Sequence, residues 1–202
     1  MFKELDKLLP IKTVKTETLT NFKDENEIQV TWIGHATVYV QMEGLNILTD
    51  PIFEEYCGPD LASVTGFGLF AYWRYREAAC QIQDIHNLDA VVISHNHFDH
   101  LCKKSVKNII ECHANIKWFV PKGLKSWFEK LGCNKTVLRN VIELEWWQAS
   151  TIDVKGKKFR FVFTPAQHWC QRGPLDLNQV ICVIHTEHNI SQMLLFGNVK
   201  RP

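Results

Sequence analysis

The chain has 202 residues, 46% of them apolar and 22% charged, with 23 Lys and Arg against 22 Asp and Glu, the composition of one globular domain or slightly more. A net charge of +1 supplies no positive field to hold a nucleic-acid backbone, so no nucleic-acid partner is expected. The seven cysteines are scattered, odd in number and lack a Cys-x-x-Cys pair, which argues against a secreted disulfide framework and for a reducing, intracellular and cytoplasmic setting; no run is apolar enough for an export signal or a membrane span.

Residues 1–26 are charged and Thr-rich with little periodicity and are read as an N-terminal arm with one helical turn over Lys3 to Leu9; residues 27–202 form the domain. Three β-type runs open it, Ile28 to Ile33, Thr37 to Met42 and Leu45 to Thr49, and Glu43-Gly44 is the turn of an antiparallel hairpin. After Asp50-Pro51 a connection of more than 30 residues runs to Leu88, too long for an ordinary loop. Its aromatic stretch Phe67 to Trp73, followed by Arg74 and Arg76, suits either a water–lipid interface or packing on the core.

Leu88 to Ile93 then reads as a continuous apolar strand, Ser94 to His100 as a polar loop, and Leu101 to Ala114 as a helix through Val106, Ile109 and Ile110. Strand Ile116 to Val120, helix Leu124 to Leu131 and strand Val141 to Leu144 repeat the alternation, so helices cover a sheet. Thr151 to Val154 and Phe159 to Thr164 flank Lys155-Gly156-Lys157 as a hairpin, and Val180 to His185 with Gln192 to Phe196 form another.

Ser94-His95-Asn96-His97-Phe98-Asp99-His100 places three imidazoles and a carboxylate within six residues, where an apolar strand ends. In extended chain His95 and His97 point to one side, while Asp99 and His100 enter the following helix and turn elsewhere. One short loop can therefore serve two adjacent metal ions. His168 follows the strand Phe159 to Thr164 and the break Pro165-Ala166-Gln167, and completes the first ion. Asp50 ends the third strand and is placed with Asp99 in the catalytic apparatus, holding a ligating imidazole through its other ring nitrogen. His35, in the Gly34-His35-Ala36-Thr37 turn at the same sheet edge, contacts substrate or the metal shell, or serves only its own turn. Mixed imidazole and carboxylate donors suit zinc best, with iron or manganese admitted by ligand type.

His95-x-His97-x-Asp99-His100, with Asp50 before it and His168 after, resembles the metallo-β-lactamase superfamily. The resemblance implies an α+β fold, an αββα sandwich with a two-metal site at one edge of its sheets. The strings VTWIGHATV, LTDPIF, ISHNHFDHL and FVFTPAQHWC, running with interruptions from about Glu4 to about Val180, are similar to the phospholipases D that hydrolyse N-acylphosphatidylethanolamine. That similarity implies a zinc phosphodiesterase cutting this membrane phospholipid into an N-acylethanolamine and phosphatidic acid. His95, His97 and His168 would hold the first zinc, Asp99 and His100 the second. Two such ions acidify a water and clamp the oxygens of a phosphodiester, so no protein nucleophile is required.

The family pattern also calls for a bridging Asp after a later strand and a final His. The residues after Phe196 are Gly197-Asn198-Val199-Lys200-Arg201-Pro202, and neutral Asn198 cannot bridge two cations. The second zinc site and the second half of the sandwich are therefore expected to be incomplete, as in a truncated product. His185 and His188 are read as turn histidines at the far end of the strands, roughly 20 Å from the metal edge, and His86 and His113 as surface residues. Phe98 and Leu175 are expected to touch a lipid chain, whereas Trp146, Trp147 and Trp169 are read as core in preference to an acyl groove. Peripheral membrane association is expected, and so is homo-oligomerisation through the apolar strand Met193 to Phe196.

Overall fold

The computed structural model describes residues 14–20, 27–58, 72–173, 175–180 and 182–188. Strands β1 (Ile28–Gly34), β2 (Thr37–Met42) and β3 (Leu45–Thr49) form an antiparallel meander. Glu43 and Gly44 both take positive φ, 47° and 87°, as a two-residue hairpin turn between right-twisted strands demands. The long connection carries a two-stranded ribbon, β4 (Tyr56–Cys57) with β5 (Tyr72–Trp73), and a 3-10 turn over Ile82–Asp84. Strands β6 (Ala90–Val92), β7 (Lys117–Pro121) and β8 (Val141–Leu144) then extend the first sheet in parallel, in the order β1-β2-β3-β6-β7-β8. A second sheet is antiparallel and pairs β9 (Ala149–Val154), β10 (Lys157–Pro165) and β11 (Val183–His188), with β10 central.

Helices α1 (Thr16–Thr20), α2 (Lys103–Cys112), α3 (Lys125–Lys130) and α4 (Lys135–Asn140) complete the described elements. The period of two along each strand sorts the core into two layers. Leu48, Val91, Trp118 and Val120 face Val106, Ile109 and Phe128 of the helices. Ile47, Ala90, Val92 and Phe119 face Ile152, Phe159, Phe161 and Phe163 of the second sheet. Phe119 stacks on Phe161 with ring centroids 3.9 Å apart, and burying each such ring contributes roughly 1.5–3 kcal/mol. The result is the expected α+β arrangement, described here as a helix layer, a six-stranded sheet and a three-stranded sheet.

Four elements differ from the sequence reading. Helix α1 falls within the arm: Leu19 is fully buried, and its carbonyl and that of Thr18 accept bonds from Gln41 and Gln29. Helix α4 is unexpected; Asn134 caps it by accepting from the Val137 N–H, but six residues are too few to display a helical period. Helix α2 begins at Lys103, two residues late. Strand β11 starts at Val183 because Val180 and Cys182 join the helix-side core. His185 and His188 consequently lie inside a strand, opposite Phe163 and Arg160, and not in a turn. The expected turn at Lys3 to Leu9, the residues Phe67 to Ala71 and the strand Gln192 to Phe196 lie outside the described residues.

The carboxyl ends of β3, β6 and β10 and the β1–β2 turn share one edge of this sandwich. In sheets with parallel strands, that is the edge where ligands are held.

Candidate metal centre

Asp50 is the first residue beyond β3, and its N–H donates to the Val92 carbonyl at 2.9 Å, which fixes it beside the end of β6. Its carboxylate is buried and fully engaged: it accepts from Ser94 N–H at 2.7 Å, Ser94 Oγ at 2.6 Å and His100 Nδ1 at 2.8 Å. Burial opposes ionisation of Asp50, yet the His100 imidazole and the two Ser94 donors outweigh it and hold the carboxyl below its ordinary value. Burial likewise opposes a charge on His100, and the bond to Asp50 outweighs that and raises its pKa.

This network fixes which ring nitrogens face the site. The single hydroxyl proton of Ser94 goes to Asp50, so the 2.8 Å contact between Ser94 Oγ and His95 Nδ1 must be an Nδ1–H donating to the hydroxyl. His95 Nε2 is left as a lone pair. His100 also donates its Nδ1–H, to Asp50, so in the neutral ring Nε2 is the available donor atom. His97 Nδ1 lies 2.9 Å from His95 Nε2, while His97 Nε2 is buried with no hydrogen-bond partner. Such an orphan costs about 1–3 kcal/mol, and a bound cation would remove that cost.

The donor atoms form two groups, His95, His97 and His168 in one and His35, Asp99 and His100 in the other, each with all its donor atoms within 4.8 Å of one another. The groups adjoin, with the His95 and His100 ring centroids 4.1 Å apart. Burial, reinforced by neighbouring His100, pushes His95 down to about 3, and burial next to His168 lowers His97 as well. Both imidazoles are thus uncharged at neutral pH, the state a metal ion requires. The hydrogen bond from His35 holds the Asp99 carboxyl well below the usual carboxylate range. Three imidazoles in one group, one of them with an orphaned nitrogen, and two imidazoles with a carboxylate in the other fit a pair of borderline divalent ions.

All five sequence-predicted ligands, His95, His97, Asp99, His100 and His168, therefore meet at one place. The sequence reading leaves the second group with two donors; the structure adds His35, whose Nε2 is 3.1 Å from Asp99 Oδ2. Asp50 is enclosed behind Ser94 and His100 and holds both by hydrogen bonds. Phe98 is half-buried, with the Arg172 guanidinium 4.1 Å from the centre of its ring. Arg172 also donates to the Asn96 and Leu101 carbonyls at 2.9 and 2.7 Å, bracing both ends of the loop. Neither Arg172 nor Ser94 was marked by the sequence, since each acts through contacts that spacing does not encode.

The tryptophans expected in the core are exposed: Trp146 by 46%, Trp147 by 71% and Trp169 by 53%. They lie past the ends of β8 and β10, where the inter-sheet positions are already filled by phenylalanines. Trp146, His168, Trp169 and Val180 line a groove of about 630 Å³ next to the first group, and the Trp169 ring meets His97 at 4.4 Å. Leu175 is 88% exposed on the loop beyond His168. Trp73 and Tyr75 are exposed, but Arg74 turns inward and donates to the Ile52 carbonyl at 2.5 Å. His86 is exposed, as expected, whereas the His113 ring is half-buried. No helix among the described residues is long and apolar enough to cross a membrane.

Residues 45–188 match a family model described as the beta-lactamase superfamily domain. The chain is 39% identical over 176 residues to N-acyl-phosphatidylethanolamine-hydrolyzing phospholipase D 1 of Caenorhabditis elegans, covering 87% of this chain and 47% of that protein. It is 32% identical over 166 residues to the mitochondrial N-acyl-phosphatidylethanolamine-hydrolyzing phospholipase D of Saccharomyces cerevisiae, covering 77% and 31% respectively. The chain thus spans about half the length, or less, of these curated relatives. Among solved structures, CmlA, a diiron beta-hydroxylase from Streptomyces venezuelae, aligns with a TM-score of 0.51 at 20% identity over 82% of this chain and 28% of that one, a likeness of fold.

Proposed function

Since the chain belongs to the beta-lactamase superfamily domain family, we propose that it acts as a metal-dependent hydrolase of a phosphodiester lipid, using zinc to release an N-acylethanolamine and phosphatidic acid from N-acylphosphatidylethanolamine. The observation that carries this reading is the pair of adjoining donor groups at one sheet edge, one of which contains the partnerless His97 Nε2. The names of the similar phospholipases D supply the substrate class.

His95, His97 and His168 would hold one ion, and Asp99 and His100 a second. Bound divalent ions would supply Lewis-acid polarisation of a phosphoryl oxygen and a water of lowered pKa. The chain's own residues do the rest. Asp50 and Ser94 keep His95 Nε2 turned towards His97 and His100 Nε2 towards Asp99. Arg172 fixes the loop that carries four of the donors. The groove beside Trp146, Trp169 and Val180 is wide and apolar enough for an acyl chain, and exposed Leu175, Leu177, Trp73 and Tyr75 supply apolar area for docking on a membrane surface.

The test is to load the purified chain with zinc and present N-acylphosphatidylethanolamine in mixed micelles, with a lactone and an RNA in parallel. N-acylethanolamine and phosphatidic acid should rise together and fall to background with a chelator. Release no faster than the chelated control, or turnover of the lactone or RNA alone, would overturn the reading.

A further inference from the structure

The β1–β2 turn is built on left-handed backbone. Gly34 and His35 take φ of 141° and 52°, and a side chain at Gly34 would collide with the Arg74 guanidinium. A left-handed backbone is disfavoured for a residue with a side chain, though His adopts it more readily than most. The turn is nevertheless tied at successive residues. Trp32 Nε1 donates to the His35 carbonyl at 2.9 Å, Thr49 Oγ1 to the Ala36 carbonyl at 2.7 Å, and Thr37 Oγ1 to the Asp50 carbonyl at 2.8 Å. The last tie fastens the turn to the residue whose carboxylate holds His100. The outcome is a His35 Nε2 3.1 Å from Asp99 Oδ2 and a ring centroid 5.0 Å from that of His100. With side chains 49% and 40% exposed, the His35 to Asp99 contact alone contributes little stability. The turn is thus held by its own hydrogen bonds, and it delivers the His35 ring to the side of Asp99 and His100.

Resting on the metal-hydrolase reading, we infer that His35 is a ligand of the second metal position, supplying an imidazole nitrogen to a divalent transition ion that Asp99 and His100 also hold. Two imidazoles and one carboxylate form a zinc-type donor set and leave a further position open. The three donor atoms lie within 4.8 Å of one another, and ligands of a tetrahedral zinc at ~2.0–2.2 Å stand roughly 3.3–3.6 Å apart. Small rotations of the half-exposed His35 and Asp99 side chains close that difference without moving the backbone. Contact between His35 and the substrate's phosphate is the competing role, and it makes a different prediction for metal content.

The experiment is equilibrium dialysis against zinc followed by metal analysis, on the wild-type chain and on His35→Asn, a residue that tolerates the left-handed backbone. Wild type should hold two zincs. His35→Asn should keep the first and lose the second or weaken it by more than about 100-fold, and the retained first zinc shows that the variant is folded. Cobalt loading of His35→Cys gives a second readout, because a sulfur-to-cobalt charge-transfer band arises only if residue 35 touches the ion. Unchanged zinc content in His35→Asn together with no such band in His35→Cys overturns the inference and leaves His35 to the substrate. A wild-type chain that takes up no zinc overturns the metal-hydrolase reading itself, and this inference with it.

Discussion

The two donor groups differ in how they are held. His95 is 3% exposed and its ring is fixed by Ser94, with half-buried His97 and exposed His168 packed against it at 4.6 Å between ring centroids. In the other group only His100 is comparably enclosed, at 18% side-chain exposure, while His35 and Asp99 are 49% and 40% exposed. Both groups depend on one carboxylate, because Asp50 orients His100 directly and His95 through Ser94. The buried His95 lowers the ordering cost of binding an ion at the first group; each group also keeps an exposed donor, His168 in the first and His35 in the second, through which a substrate can approach.

Substitutions can break that comparison from its shared point outwards. Asp50→Ala should have the largest effect, because it leaves His100 and Ser94 without their partner inside the protein; a loss of about 3–5 kcal/mol is expected in urea unfolding of the metal-free chain. A loss under about 1 kcal/mol would show that the two groups are held independently. Joint replacement of His95 and His97 by Ala should abolish zinc at the first group and leave the second group's ion measurable by dialysis. Arg172→Ala removes two bonds to loop carbonyls and a cation–π contact, so about 2 kcal/mol of stability should go, with faster amide exchange over Asn96 to Leu101. Trp169→Ala should change stability by less than about 1 kcal/mol and yet reduce co-sedimentation with phospholipid vesicles; unaltered vesicle binding would separate the groove from membrane contact.

The same contrast explains what could be read in the sequence. The first group was legible because His95 and His97 are local, spaced at the strand period and placed where an apolar run ends, with His168 after a second such run. Asp50 was legible as the partner of an imidazole for the same reason. His35 remained open between roles because its direction depends on a left-handed turn that spacing does not reveal. Arg172 and Ser94 act through carbonyls and hydroxyls brought together only by the fold. The tryptophans misled because bulk and apolarity favour the core by default, whereas here the phenylalanines fill the inter-sheet layer and leave Trp147 and Trp169 outside it. Strand β11 was displaced by three residues because Val180 belongs to the helix-side core and not to the ladder, a distinction an apolar run cannot show.

Anomalous diffraction from zinc-soaked crystals of the chain tests the two-group centre most directly. The account predicts two zinc peaks, roughly 3.5–4 Å apart as in two-metal hydrolases, one among His95, His97 and His168 and the other among His35, Asp99 and His100. No peak within these groups, or zinc only at surface sites away from the β3 and β6 strand ends, would contradict it.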